Sequence, residues 1–135
     1  MTNYVLPVRV YLEDTDAQGV VYNASYFRFM ERARTECLLA VGVDHDRLRE
    51  EHGVMLVLAG IEAKFRAPAR LSDLLYVTAA VDETRGARMR FTQQVHRHDP
   101  DGELIVEGTA EVACMDARGG KPRRFPHALL QELTA

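Results

Sequence analysis

Two aspartates two positions apart, Asp14 and Asp16, stand in the stretch Glu13-Asp14-Thr15-Asp16-Ala17-Gln18-Gly19, directly before a segment whose apolar residues recur at helical spacing. A carboxylate in that position can attack an electrophile or take a proton from water. The amides that open the helix, around Tyr22 and Asn23, have no intrahelical acceptor and carry the positive end of the helix dipole, which suits a developing oxyanion. Gly19 lacks Cβ and lets a ligand approach the backbone. On residue type alone, Asp14 and Asp16 serve as well for capping a turn or the helix start, the commoner use of short acidic side chains in loops.

Other side chains with chemical potential lie further along. Glu31 is a second carboxylate, two turns into the helix, and competes with a local reading as the ion-pair partner of Arg34 or Arg28. Arg85, Arg88 and Arg90 fall at a turn and on one face of the strand that follows, where guanidinium groups suit phosphates. The plainer alternative is a solvated strand face. Asp14 to Gly19 begins like a calcium loop, but the position that needs a bidentate Glu is Ser25. The same residues resemble the paired aspartates of phosphate-transferring hydrolases, whose βα repeats are missing here. His96 and His98 have the spacing to share a strand face with a metal, but His-Arg-His-Asp entering a Pro-Gly turn reads as solvent-facing, so no metal is expected.

These groups need a scaffold, and the periodicity supplies one. Leu6 to Leu12 alternates as a strand. From about Ala24, Tyr26, Met30, Ala33, Cys37 and Val41 fall on one helical face, with Asn23 or Ser25 as cap and Gly42 as left-handed stop. Asp44 to His52 predicts a shorter helix ending at Gly53. The period then changes to two: Ile61, Ala63 and Phe65 up to Pro68, then Leu75, Val77, Ala79 and Val81, then Met89, Phe91, Gln93 and Val95, then Leu104, Val106, Ala110 and Val112. Turns at Arg85-Gly86 and Asp99-Pro100-Asp101-Gly102 separate the last three. A short helix near Pro126, through Ala128 to Leu133, closes the chain. This order predicts an α+β layer architecture, an antiparallel β-sheet wrapped round a long central helix, with a cone-shaped sheet of the ketosteroid-isomerase kind as the rival.

Composition bounds the answer. At 135 residues and 47% apolar content the chain fits one domain, residues 1–135, with its own core. Lys and Arg number 17 against 20 Asp and Glu, a net charge of -3, which gives no general attraction to nucleic acid or anionic membrane. Cys37 and Cys114 lie far apart in apolar patterns and read as buried free thiols. Met1 to Arg9 has no basic start followed by an apolar stretch, and no run is long enough to insert in a bilayer, so a cytoplasmic setting is expected.

The stretch VRVYLEDTDAQGVVYNASYFRFMERARTE, Val8 to Glu36, resembles the signature of the 4-hydroxybenzoyl-CoA thioesterase-like hot-dog family, and within it the Tol-Pal-associated acyl-CoA thioesterases of YbgC type. The likeness continues through FRAPARLSD, Phe65 to Asp73, and TRGARMRFTQQV, Thr84 to Val95. It implies a five- or six-stranded antiparallel sheet round the long helix, a homo-oligomer that is a dimer or a tetramer of paired dimers, and active sites between subunits. It also implies hydrolysis of acyl-CoA, with the reacting carboxylate at Asp16, a polarising amide at Asn23 and a structural Asp14. No cofactor is implied beyond the coenzyme A of the substrate; an acyl carrier protein is a further partner to consider.

A thioester needs little else. Its leaving thiolate has a pKa near that of Cys, roughly 8.5, so protonating the leaving group matters less than polarising the carbonyl. Two positions depart from the family pattern: Leu12 stands where close relatives tend to carry Tyr, and Asn23 where they tend to carry His. An imidazole-assisted route is therefore not expected, and acyl preference is left open.

Overall fold

The computed structural model describes residues 3–134. Strand β1 (Asn3–Arg9) is followed by a tight 3-10 turn (Leu12–Asp14), helix α1 (Asn23–Leu39) and the short helix α2 (His45–Arg47), which widens into a π-helical turn (Leu48–His52). Strands β2 (Val54–Phe65), β3 (Leu74–Arg85), β4 (Arg88–Arg97) and β5 (Glu103–Asp116) come next, and α3 (His127–Thr134) closes the described chain. The strands form one five-stranded sheet in the order β1-β3-β4-β5-β2, every neighbouring pair antiparallel. This is the hot-dog arrangement, and it displaces the cone-shaped rival.

Helix α1 lies on the sheet because one of its faces is apolar. Tyr26, Phe29, Met30, Ala33, Cys37 and Leu38 are buried, facing the inward rows Leu75, Val77, Ala79 and Val81 of β3 and Met89, Phe91 and Val95 of β4. Each large side chain removed from water in this way contributes about 1.5–3 kcal/mol. At position 108 on β5, opposite Ala63, only glycine fits: a Cβ there would meet the Glu62 carbonyl oxygen of β2 at 2.2 Å.

Several boundaries move from their sequence expectations. β1 starts earlier and ends at Arg9, because the Asp14 carboxylate accepts the Tyr11 N–H at 2.9 Å and folds the chain into the 3-10 turn. Leu12 is thereby left 75% exposed instead of lying in a strand. Neither Asn23 nor Ser25 caps α1: Tyr22 holds the cap position in extended backbone, and the Ser25 hydroxyl donates to the Asp14 carbonyl. α1 stops at Leu39, so Val41 packs half-buried beyond it, before Gly42 at φ 83°. β2 is a full 12 residues from Val54; its alternation is blurred by an irregularity between Leu58 and Gly60 and by its edge position. It ends at Phe65 rather than Pro68, where the Arg66 and Ala67 amides both turn to the Ile105 carbonyl. Pairing between β4 and β5 skips one residue at Val95/His96, so Ile105 turns inward and Leu104 is only half-buried.

Among the described residues no helix is long and apolar enough to cross a membrane.

Candidate active site

The loop between β1 and α1 is built round Asp14. This side chain is 5% exposed; its Oδ2 accepts the Tyr11 N–H, and its Oδ1 lies 3.4 Å from Nη2 of Arg28 on α1. Its carbonyl accepts the Tyr22 N–H at 2.9 Å and the Ser25 hydroxyl at 3.4 Å. Arg28 also donates to Ser25 Oγ at 2.9 Å. Asp14 therefore ties the loop to the first turn of the helix and has little capacity left for chemistry.

Asp16 is placed differently. The chain reverses over residues 15–21, with the Asp16 amide donating to Val20 at 2.9 Å, an isolated bridge between Thr15 and Val21, and Gly19 at φ 79°, a left-handed conformation that favours glycine. Oδ1 of Asp16 accepts the amides of Gln18 at 2.8 Å and Val20 at 3.4 Å. Oδ2 has no hydrogen-bond partner among the described residues, and the side chain is exposed. One oxygen is thus anchored and the other is left exposed, in the loop that leads into α1.

The helix end offers donors. The Tyr22 amide, one of the two singled out from sequence, is already taken by the Asp14 carbonyl; the Tyr22 ring is 62% exposed. The amides of Asn23 and Ala24 have no partner among the described residues and keep the positive end of the dipole open.

The other candidates lie elsewhere. Glu31 is exposed on α1 and forms no ion pair within the described residues, since Arg28 turns to Asp14 and Arg34 turns into the core. Arg85 and Arg88 face each other across the β3–β4 turn, while Arg90 is engaged by Asp82 at 2.9 Å and Glu83 at 3.2 Å. β3 starts at Leu74, next to the Asp73 that bonds Val10, and ends at Arg85, so within one chain Arg85 and Arg88 lie at the end of the strand remote from the Asp16 loop. His96 uses both ring nitrogens, on the Gly102 carbonyl and Gln94 Oε1, and His98 turns to Asp73 at 3.6 Å.

Asp16 lines none of the principal clefts formed by the described residues. One cleft, of about 410 Å³, lies on the outer face of the sheet between Glu62, Lys64, Thr92, Gln94, Glu107 and Thr109. A carboxylate so open to water needs a further surface over it before electrostatic stabilisation becomes strong.

A five-stranded antiparallel sheet packed round one long helix defines a hot-dog protein. The family model described as the thioesterase-like superfamily matches residues 10–133. The chain is 41% identical over 123 residues to the acyl-CoA thioesterase YbgC of Haemophilus influenzae, covering 91% of this chain and 88% of that one. It also superposes on the crystal structure of a probable thioesterase from Bartonella henselae with a TM-score of 0.83 at 32% identity, over 92% of this chain and 99% of the other. A 4-hydroxybenzoyl-CoA thioesterase shares the fold at a TM-score of 0.88 and 18% identity, over 98% and 99% of the two chains. The chain belongs to the YbgC acyl-CoA thioesterases of that superfamily.

Proposed function

We propose that the chain hydrolyses acyl-CoA thioesters with Asp16 as the reacting carboxylate and the Asn23 amide polarising the carbonyl. The observation that carries this reading is the free Oδ2 of Asp16, its Oδ1 anchored in a loop that runs directly into α1, whose first two amides are open. The 4-hydroxybenzoyl-CoA thioesterase with the same fold was crystallised with 4-hydroxybenzoyl-CoA as an Asp-to-Asn mutant, which fits a carboxylate at the reacting centre of such proteins.

The thioester oxygen accepts from Asn23 and Ala24, drawing charge off the carbonyl carbon. Oδ2 of Asp16 then follows one of two routes. It attacks that carbon and expels the coenzyme A thiolate, leaving a mixed anhydride that water cleaves, or it takes the proton of a water that attacks instead. Either route gives a free acid and coenzyme A, and needs no cofactor.

The cover over Asp16 comes, in this reading, from a second copy, in a homodimer or a homotetramer built of two dimers. The exposed Leu58 and Phe65 on edge strand β2 support such an assembly, because an open apolar edge is a ready pairing surface. Gly19 leaves room for the substrate at the loop, Glu31 supports the site from α1, and Arg85 and Arg88 serve the coenzyme A phosphates from another protomer, with Arg90 beside them held by Asp82 and Glu83. We place the protein in the cytoplasm, with free acyl-CoA as substrate and acyl carrier protein as an alternative acyl donor.

A second reading is binding of acyl-CoA or acyl carrier protein without cleavage. It is favoured by one observation, that Oδ1 of Asp16 already caps its own turn. Thiol release from a panel of acyl-CoAs separates the two. Wild type should release thiol, and Asp16→Asn should lower turnover by roughly two to four orders of magnitude with the fold intact. Near wild-type turnover in Asp16→Asn removes Asp16 from the mechanism, and no thiol from any substrate favours the binding reading.

A further inference from the structure

Residues 66–73, which join β2 to β3, form a strap laid across the Asp16 loop. The Val21 amide donates to the Ala69 carbonyl at 2.9 Å, the Leu71 amide to Gly19 at 3.3 Å and the Ser72 amide to Val10 at 3.0 Å, while Val20 bridges Arg70. The Val10 amide returns a bond to Asp73 at 2.8 Å. From the first turn of α1, the buried Tyr26 hydroxyl accepts the Ala69 N–H at 3.0 Å. The two structures proposed to do the chemistry, the Asp16 turn and the α1 start, are thus referenced to one segment.

That segment is itself fixed from the end of β4. Arg97 directs Nη1 to Asp73 Oδ2 at 2.5 Å, Nη2 to the Pro68 carbonyl at 2.6 Å and Nε to Glu103 at 2.9 Å. Asp73 Oδ2 also accepts the Arg70 N–H at 2.8 Å. Both side chains of the pair are largely buried. A planar guanidinium that reaches three separate acceptors at once sets direction as well as distance, which a lysine cannot reproduce.

Backbone conformation singles out the same place. Ser72, at φ 72°, and His98, at φ 63°, are the only non-glycine residues with left-handed backbone among those described. Ser72 directly precedes Asp73, and His98 directly follows Arg97. Side-chain-bearing residues hold that conformation only where surrounding contacts over-determine it, and such positions concentrate at functional sites.

We propose that Asp73 and Arg97 are positioning residues for hydrolysis: the pair holds the 66–73 strap so that Asp16 and the Asn23 amide converge on one carbonyl. Neither touches substrate; they act through the loop that the strap carries. The inference rests on the assignment of Asp16 and adds a requirement to it. Displacing a reacting group by about 1 Å can cost a hundredfold in rate.

The test measures kcat and KM with one acyl-CoA, together with the melting temperature, for Asp73→Asn and Arg97→Lys, each in wild-type and Asp16→Asn backgrounds. Asp73→Asn keeps the shape and loses the charge, and Arg97→Lys keeps the charge and loses the fork. In the wild-type background kcat should fall about tenfold to a hundredfold with KM within about threefold, in protein that is folded at the assay temperature. In the Asp16→Asn background the further fall in kcat should be no more than about threefold, because the carboxylate is already gone and only the Asn23 amide remains to be positioned. Equal losses in both backgrounds, or kcat within twofold of wild type for both variants, would overturn the proposal. Asp16→Asn with full activity would sink the mechanism itself, and the role given to the strap with it.

Discussion

Arg34 on α1 donates a guanidinium hydrogen bond to Oε1 of Gln93 on β4, 2.9 Å away, inside the core. Gln93 is fully buried, and its Nε2 donates to the carbonyls of Met30 at 2.9 Å and Thr78 at 3.2 Å. With both donors directed at backbone oxygens, its Oε1 has to face the arginine. Burial lowers the Arg34 pKa, and nearby Glu31 opposes that shift.

Removing Gln93 alone should therefore cost more than a lost side chain. Gln93→Leu leaves a largely buried cation without its acceptor and should destabilise the protein by about 2–4 kcal/mol in urea unfolding. Arg34→Met combined with Gln93→Leu should recover most of that loss, because both polar partners leave together. A Gln93→Leu protein as stable as wild type would show that water takes over the acceptor's role.

Glu31 gives a second prediction. It is exposed, free of ion pairs within the described residues and two turns along α1 from the open amides. Glu31→Gln should lower kcat by no more than about tenfold, well short of Asp16→Asn measured in the same assay. A larger loss at Glu31 would move the reacting carboxylate from the loop to the helix.

The arginines at the β3–β4 turn supply a third. Arg90 is neutralised locally by Asp82 and Glu83, which also raise its pKa through the Asp82 hydrogen bond and charge, so Arg85 and Arg88 remain for phosphate. Arg85→Glu with Arg88→Glu should raise KM for acyl-CoA about tenfold or more, while a truncated thioester lacking the nucleotide should show little change. Equal effects on the two substrates would assign these arginines to a solvated strand face.

The inward rows of the sheet were readable because Leu75 to Val81 and Met89 to Val95 alternate without interruption over a period of two. Leu104 faces away from its expected row because Ile105, passed over between the Val95–Val106 and His96–Leu104 pairs, inverts the phase of β5, and such irregularities have no local sequence signal. Polar residues inside the core were half readable: Gln93 fell in an inward row, whereas Arg34 looked like one more charge on the polar face of α1. At the site, the juxtaposition of Asp16 with a helix start follows from chain order alone. The use of the Tyr22 amide by Asp14, and the distance from Asp16 to Arg85, depend on tertiary folding. The strap falls inside the FRAPARLSD stretch, and nothing in its local sequence marks it as a support for the loop. Its contact with Arg97 spans 24 residues of sequence, and no period of two or of 3.6 marks such a pair.

A last prediction concerns pH and Cys37. Its thiol is buried against β3, donates to the Ala79 carbonyl at 3.7 Å and has its pKa pushed up to about 11 by burial. In the unfolded chain the same thiol titrates near the ordinary cysteine value of roughly 8.5. Because the folded pKa is the higher one, the stabilisation is complete below the unfolded value and is lost as pH rises toward the folded value. Cys37 should thus withdraw at most about 3 kcal/mol between those limits. Cys114 and Tyr26 are also raised chiefly by burial and add to the alkaline loss, so the informative quantity is a difference. The stability gap between wild type and Cys37→Ala should be constant at neutral pH and narrow steadily from about pH 8.5 upward. A gap that stays constant to pH 11 would mean that solvent reaches this thiol and that the helix does not seal against β3.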